Sequence, residues 1–285
     1  MDFYLRQTPY SDPGDLDVTD LPRDPGELAR IVRELIFHRF EGWRLDHTIP
    51  ERRLHEDGEA RYVTEILRIL RGRRDAPLTE PRAFEERFVG TCRDFALLHV
   101  ALLRATGTPA RVRGGFGTYF VDGFHEDHWI TEYRLPDGTW RLADPQTVHP
   151  AYDLDFDPLD VPRDRFLVSG DAWRACRTGA ADPDTFGLSG NPALHGMWFV
   201  RGSLVLDLAC RAGTETLPWD GWGPLAGFDT GETVSEADLA LLDEVAAAEE
   251  QADVLRLAAH PRLAAPREIR SNTAYLGMRA VTLAG

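Results

Sequence analysis

Apolar residues recur at helical spacing in several stretches of this chain, and each stretch predicts an element. In residues 26–40, Leu28, Ile31, Val32, Leu35 and Ile36 share one face of a helix. In residues 59–71, Val63, Ile66, Leu67 and Leu70 repeat the pattern after a loop through Pro50. Between Gly90 and Gly107, Phe95, Leu98, Leu102 and Leu103 make a third face, with Ala96 and Ala101 suited to close packing. Thr91 reads as the N-cap of that helix, and Gly107 with Pro109 beyond it reads as the stop. Cys92 therefore falls in the first turn of a helix expected to be buried.

After Pro109 the period changes from helical to alternating. ARVRGGFGTYF, DHWITEYRL and TWRLADP read as strands, and Pro136-Asp137-Gly138 reads as a tight turn joining the last two. Helices followed by an antiparallel sheet give an α+β pattern rather than alternating βαβ units. From Val148 the texture turns to Asp, Pro, Phe and Trp. Ser235 and Asp238 mark the start of one further helix, and residues 251–259 suggest another. Residues 1–25 read as an extended lead-in that wraps over the fold. The expected division is 1–150 for the N-terminal helices and core, and 151–285 for an extension packed on that core.

Composition narrows the function classes. The chain has 285 residues, 43% hydrophobic and 28% charged, and its net charge is −15. That is globular, and it disfavours a nucleic-acid or anionic-membrane partner, which would need clustered cations. Every one of the 32 basic residues is arginine, a bias in keeping with a GC-rich genome. No apolar run is long enough to span a membrane, and the N-terminus does not read as a secretory signal. Three widely separated cysteines, Cys92, Cys176 and Cys210, make no disulfide framework. A cytoplasmic location is the expectation.

An isolated cysteine is a candidate nucleophile when its site stabilises the thiolate. The first turn of a helix does so through free N–H groups and the helix dipole. His128 lies on a predicted strand, with Ile130 and Glu132 on the same face. It is the candidate base; His125, on the other face, is the alternative. A metal site is disfavoured: His125-Glu126-Asp127-His128 is not HExxH, and no CxxC or further ligand set is present. The turn at Pro136-Asp137-Gly138 folds Asp144 back near His128 as a cross-strand neighbour, where a carboxylate would orient the imidazole. Arg111 and Arg113 share a strand face, where structural ion pairs are favoured over binding of a substrate anion.

GTCRDFALLHVALLRATGTPARVRGGF resembles the cysteine segment of the transglutaminase-like superfamily, a branch of the papain-like cysteine enzymes. Gly90, Cys92, Asp94, Arg104, Gly107, Pro109, Ala110 and Arg111 carry that resemblance. His128, Glu132, Gly138, Trp140, Asp144 and Pro145 carry the second block. Trp129 comes directly after the histidine rather than one residue later, a departure from the family pattern. The wider pattern, from DFYLRQ to RFLVSGDAW, PWD and WG, is similar to a group of uncharacterised bacterial transglutaminase-like proteins.

The resemblance implies a papain-like α+β core with Cys92 as nucleophile, His128 as base and then acid, and Asp144 as orienting carboxylate. It implies acyl transfer or hydrolysis through an acyl-thioester on a peptide, amide or thioester substrate; no cofactor is expected, and the sequence has no calcium-loop signature that would imply a metal. Trp43, Tyr62 and Gln7 are open candidates for a second oxyanion donor. Two other readings stay open: amide formation from a thioester donor in small-molecule biosynthesis, and a non-catalytic binding protein on the same fold. The complete Cys-His-Asp set argues against the last.

Overall fold

The computed structural model describes residues 2–226, 233–273 and 275–284, so residues 227–232 of the expected C-terminal extension lie outside it. The chain forms two compact units. One comprises Met1–Val112 and Ile130–Val161; the other comprises Arg113–Trp129 and Pro162–Gly285.

In the first unit, α1 (Pro25–Leu35) begins with Asp24 accepting the Glu27 N–H and with Pro25 at the first helical position. The helical pattern predicts continuation to residue 40, but the helix ends at Leu35. Ile36–His38 become β1, which pairs in parallel with β2 (Phe88–Gly90) in the register Ile36↔Phe88 to His38↔Gly90. Ile36 falls on the apolar helical face and also suits a buried strand. The partner that decides between them lies some fifty residues away, beyond the reach of a local pattern.

Next come α2 (Glu51–Asp57) and α3 (Val63–Arg73). Helix α3 starts later than the sequence suggests, because the Glu65 carboxylate turns back to accept the Arg61 N–H. Helix α4 (Cys92–Thr106) is the centre of this unit and packs on α1, α3, β1 and β2. It stops as expected at Gly107, whose φ of +99° is left-handed.

Strands β3 (Ala110–Gly117), β4 (His125–Arg134) and β5 (Trp140–Ala143) come after it. The turn before β5 closes with the Leu135 N–H on the Thr139 carbonyl and with Gly138 at φ +92°. Strands β4 and β5 pair antiparallel from Arg134↔Trp140 to Thr131↔Ala143. β6 (Phe166–Val168) pairs antiparallel with β3, and β7 (Phe186–Gly187) pairs in parallel with β4. The strand order is β5-β4-β3-β6. Helices and a largely antiparallel sheet make the α+β class expected of the sequence.

The second unit is built on α6 (Met197–Arg211), against which α5 (Ser169–Arg177), α7 (Glu236–Ala247) and α8 (Gln251–Ala258) pack. Ser235 and Asp238 form the reciprocal cap read from the sequence: the Ser235 hydroxyl accepts the Asp238 N–H, and the Asp238 carboxylate accepts the Ser235 N–H. β8 (Asp220–Gly221), β9 (Glu268–Thr273) and β10 (Gly277–Thr282) form a separate antiparallel sheet.

Candidate active site

Cys92 is the first residue of α4 and is 8% exposed. Its turn is rigid. The Asp94 carboxylate accepts both the Thr91 N–H (2.8 Å) and the Thr91 hydroxyl (3.1 Å). Arg93, fully buried, donates to Asp94 at 3.0 Å and to the Arg61 carbonyl at 2.6 Å. Gly90 leaves no room for a side chain, because a Cβ there would lie 2.9 Å from the Asp94 carboxylate. The chain thus enters α4 through a turn that the capping carboxylate fills.

Asp144 directly follows β5 and is completely buried. Its N–H donates to the Pro158 carbonyl at 2.7 Å, and its Oδ1 accepts the Gln146 N–H at 3.0 Å. The hairpin register ends at Thr131↔Ala143. Asp144 follows the last paired residue of β5, and His128 lies on β4 outside the residues that pair with β5, Thr131–Arg134. His128 is the next residue along β4 on the same face as Ile130.

His128 is buried, and its ring stands edge-on to Phe120 at 4.7 Å and to Tyr119 at 6.0 Å. His125, the alternative, stacks flat on Phe186 at 3.9 Å with its Nδ1 3.3 Å from the Thr185 hydroxyl; burial lowers its pKa. Between them, half-buried Asp127 has its carboxyl pushed up to about 7, first by desolvation and then by the charge of Glu126.

Other sequence candidates take structural parts. Arg111 pairs with Glu132 at 2.7 Å, and Arg113 pairs with Asp207 at 2.9 Å. Both are buried ion pairs, as favoured from the sequence. Gln7 commits its amide N–H to the Ala101 carbonyl at 2.9 Å. Trp43 is 78% exposed, and Tyr62 stacks on Tyr10 at 5.3 Å. Cys176 is partly buried, and its thiol is pushed up to about 11 by desolvation and by Asp182. His99, in the middle of α4, lies between the Thr131 hydroxyl (3.1 Å) and the Pro25 carbonyl (3.0 Å). Burial lowers its pKa to about 4, so it is neutral.

Sequence reasoning missed the polar groups behind Asp144. The Gln146 amide donates to the Tyr152 hydroxyl (2.9 Å), which donates to Glu41 Oε2 (2.8 Å). Glu41 Oε1 accepts from Arg33 (2.8 Å) and from the His38 N–H (2.6 Å). Gln146, beside Asp144-Pro145, had a visible signal in its position. Glu41 and Tyr152 had none.

Residues 57–145 match the family model of the transglutaminase-like superfamily. The chain has a transglutaminase-like core. The matched span contains Cys92, His128 and Asp144 and ends one residue beyond the last. No curated protein matches the chain. Among solved structures, a candidate cysteine protease from Cytophaga hutchinsonii is similar at 18% identity, over 58% of this chain and 55% of that one, with a TM-score of 0.21. The aligned part of this chain thus spans about half the length of that protein. Among the described residues no group of His, Cys, Asp and Glu is arranged to hold a metal, and no helix is long and apolar enough to cross a membrane. The transglutaminase-like core accounts for less than half of the chain; α5–α8 and β6–β10 lie outside it.

Proposed function

We propose that the protein is a cysteine-dependent acyl-transfer enzyme that cleaves an amide bond through an acyl-thioester, with Cys92, His128 and Asp144 acting together. The observation that carries this reading is the place of Cys92: first residue of a capped, buried helix inside the transglutaminase-like span. There the α4 dipole favours the thiolate over the thiol.

In this reading His128 takes the Cys92 Sγ proton while Asp144 holds the imidazole and stabilises the imidazolium. The thiolate attacks the substrate carbonyl, and the Cys92 N–H is one donor to the oxyanion. The C–N bond breaks as His128 returns the proton to the leaving amine, which leaves an acyl-thioester on Sγ. Water then attacks the thioester and gives its proton to His128. The acid departs, and the proton returns to Sγ. An amine in place of water would complete transfer instead.

The test is alkylation of the whole protein with iodoacetamide from pH 5 to 9, each cysteine followed by peptide mass spectrometry. Cys92 should react as a thiolate well below the free-thiol pKa of about 8.5, and His128→Ala should abolish that low-pH reactivity. Cys176, with its raised pKa, is the slow internal standard. A Cys92 that tracks the model-thiol profile and ignores His128→Ala would move the case to a binding protein on this fold.

A further inference from the structure

Behind Asp144 runs a chain of hydrogen bonds, and its far end is attached to the turn that bears Cys92. Glu41 is 3% exposed and uses both carboxylate oxygens. Oε1 accepts the His38 N–H and Arg33; Oε2 accepts the Tyr152 hydroxyl. His38 is the last residue of β1 and pairs with Gly90, whose carbonyl accepts the Arg39 N–H at 2.9 Å. Gly90 stands two residues before Cys92. In the other direction Tyr152 accepts from the Gln146 amide, and the Gln146 N–H lies on Asp144 Oδ1.

The intermediate groups have little freedom. Tyr152 is 9% exposed and Gln146 is 4% exposed. The Arg44 guanidinium packs 4.6 Å from the Tyr152 ring centroid and donates to the neighbouring Ala151 carbonyl. Burial and the Glu41 charge raise the Tyr152 pKa, so the phenol stays protonated and remains a donor to Glu41. A buried ion pair such as Arg33–Glu41 is a weak source of net stability, because desolvation offsets its attraction. Its geometry is what it contributes: one carboxylate fixes the exit of β1 and, through a phenol and an amide, the loop after β5.

We propose that Glu41 is a positioning residue that couples the Cys92 turn to the Asp144 loop through Tyr152 and Gln146. This rests on the reading of Cys92, His128 and Asp144 as one reacting set. Tyr152 and Gln146 are intermediate positioning residues that act through Asp144.

A double-mutant cycle separates this coupling from simple packing, because a residue acting through Asp144 loses its effect once Asp144 is disabled. The readout is the iodoacetamide rate at Cys92 in the full-length protein at one pH, with thermal unfolding alongside. Tyr152→Phe should slow Cys92 about tenfold, the scale of one hydrogen bond to a charged network. Asp144→Asn should slow it at least as much. Adding Tyr152→Phe to Asp144→Asn should change the rate by less than about twofold.

Multiplying effects, or a folded Tyr152→Phe protein that reacts at the wild-type rate, would overturn the coupling and leave the triad reading standing. An Asp144→Asn protein as fast as wild type would remove the triad reading, and this proposal with it. Should Tyr152→Phe not fold, Gln146→Met cuts the same link while keeping the Tyr152–Glu41 bond, and the same cycle decides.

Discussion

Helices α4 and α6 are each 15 residues long, and each is the buried centre of its own unit. They reach that place by different means. Helix α4 has marked ends: the Thr91–Asp94 cap in front and left-handed Gly107 behind. Helix α6 starts after Gly196, at φ +95°, with no side-chain cap, and apolar side chains surround most of its axis. Three of its polar residues, Ser203, Asp207 and Arg211, fall four apart, a spacing that reads as a wet stripe. All three are buried because each meets a partner: Ser203 with Ser169, Asp207 with Arg113 and the Gly114 N–H, Arg211 with the Ala248 carbonyl. A marked helix is readable from its own residues. A helix whose polar groups are satisfied by distant elements is not.

The comparison can be broken by removing those partners. The largest effect is expected at Asp207→Ala, which leaves Arg113 buried without its carboxylate and the Gly114 N–H without an acceptor. Breaking a buried pair from one side costs about 3–5 kcal/mol, read as a shift of the urea midpoint. A loss under about 1 kcal/mol would mean the stripe is wetter than its burial implies.

In α4 the matching buried polar group is His99, and its effect depends on pH. Its folded pKa, about 4, lies below the ordinary 6.5, so the folded state binds fewer protons there than the unfolded chain. Its neutral form contributes fully above pH 6.5, and stability falls as pH drops from 6.5 towards 4, by about 3 kcal/mol in all. Urea midpoints at pH 7 and pH 4.5 should show the loss in the wild type and much less of it in His99→Gln. Equal slopes in the two proteins would remove His99 as its source.

The smallest change concerns the end of α4. A Cβ at Gly107 meets nothing within 4 Å, so Gly107→Ala should cost only the backbone strain of φ +99°, about 1 kcal/mol. Hydrogen exchange of the last α4 turn would locate that loss.

The same contrast explains how much was legible in the sequence. The α4 boundaries, the Pro136–Gly138 turn and the Ser235 cap were readable because each depends on residues within a few positions. β1 was hidden in a helical period, and Glu41 and Tyr152 were hidden by distance: 111 positions separate two residues that share a hydrogen bond. Outside the transglutaminase-like span, α6 offered no cap, and its four-residue polar spacing pointed to solvent rather than to buried partners.

Between α3 and β2, a chain whose long-chain cations are all arginine holds itself together through guanidinium groups. Arg82, 2% exposed, donates to the carbonyls of Leu70, Arg74 and Ala76, and Arg87 donates to those of Arg82 and Arg33. Arg53 reaches the carbonyls of Phe84 and Arg87. A planar group with five N–H bonds serves as a multi-way junction, where an ammonium offers three from a single point. Guanidinium junctions therefore hold the stretch before β2, and backbone pairing of β2 with β1 takes over only for the last step into the Cys92 turn.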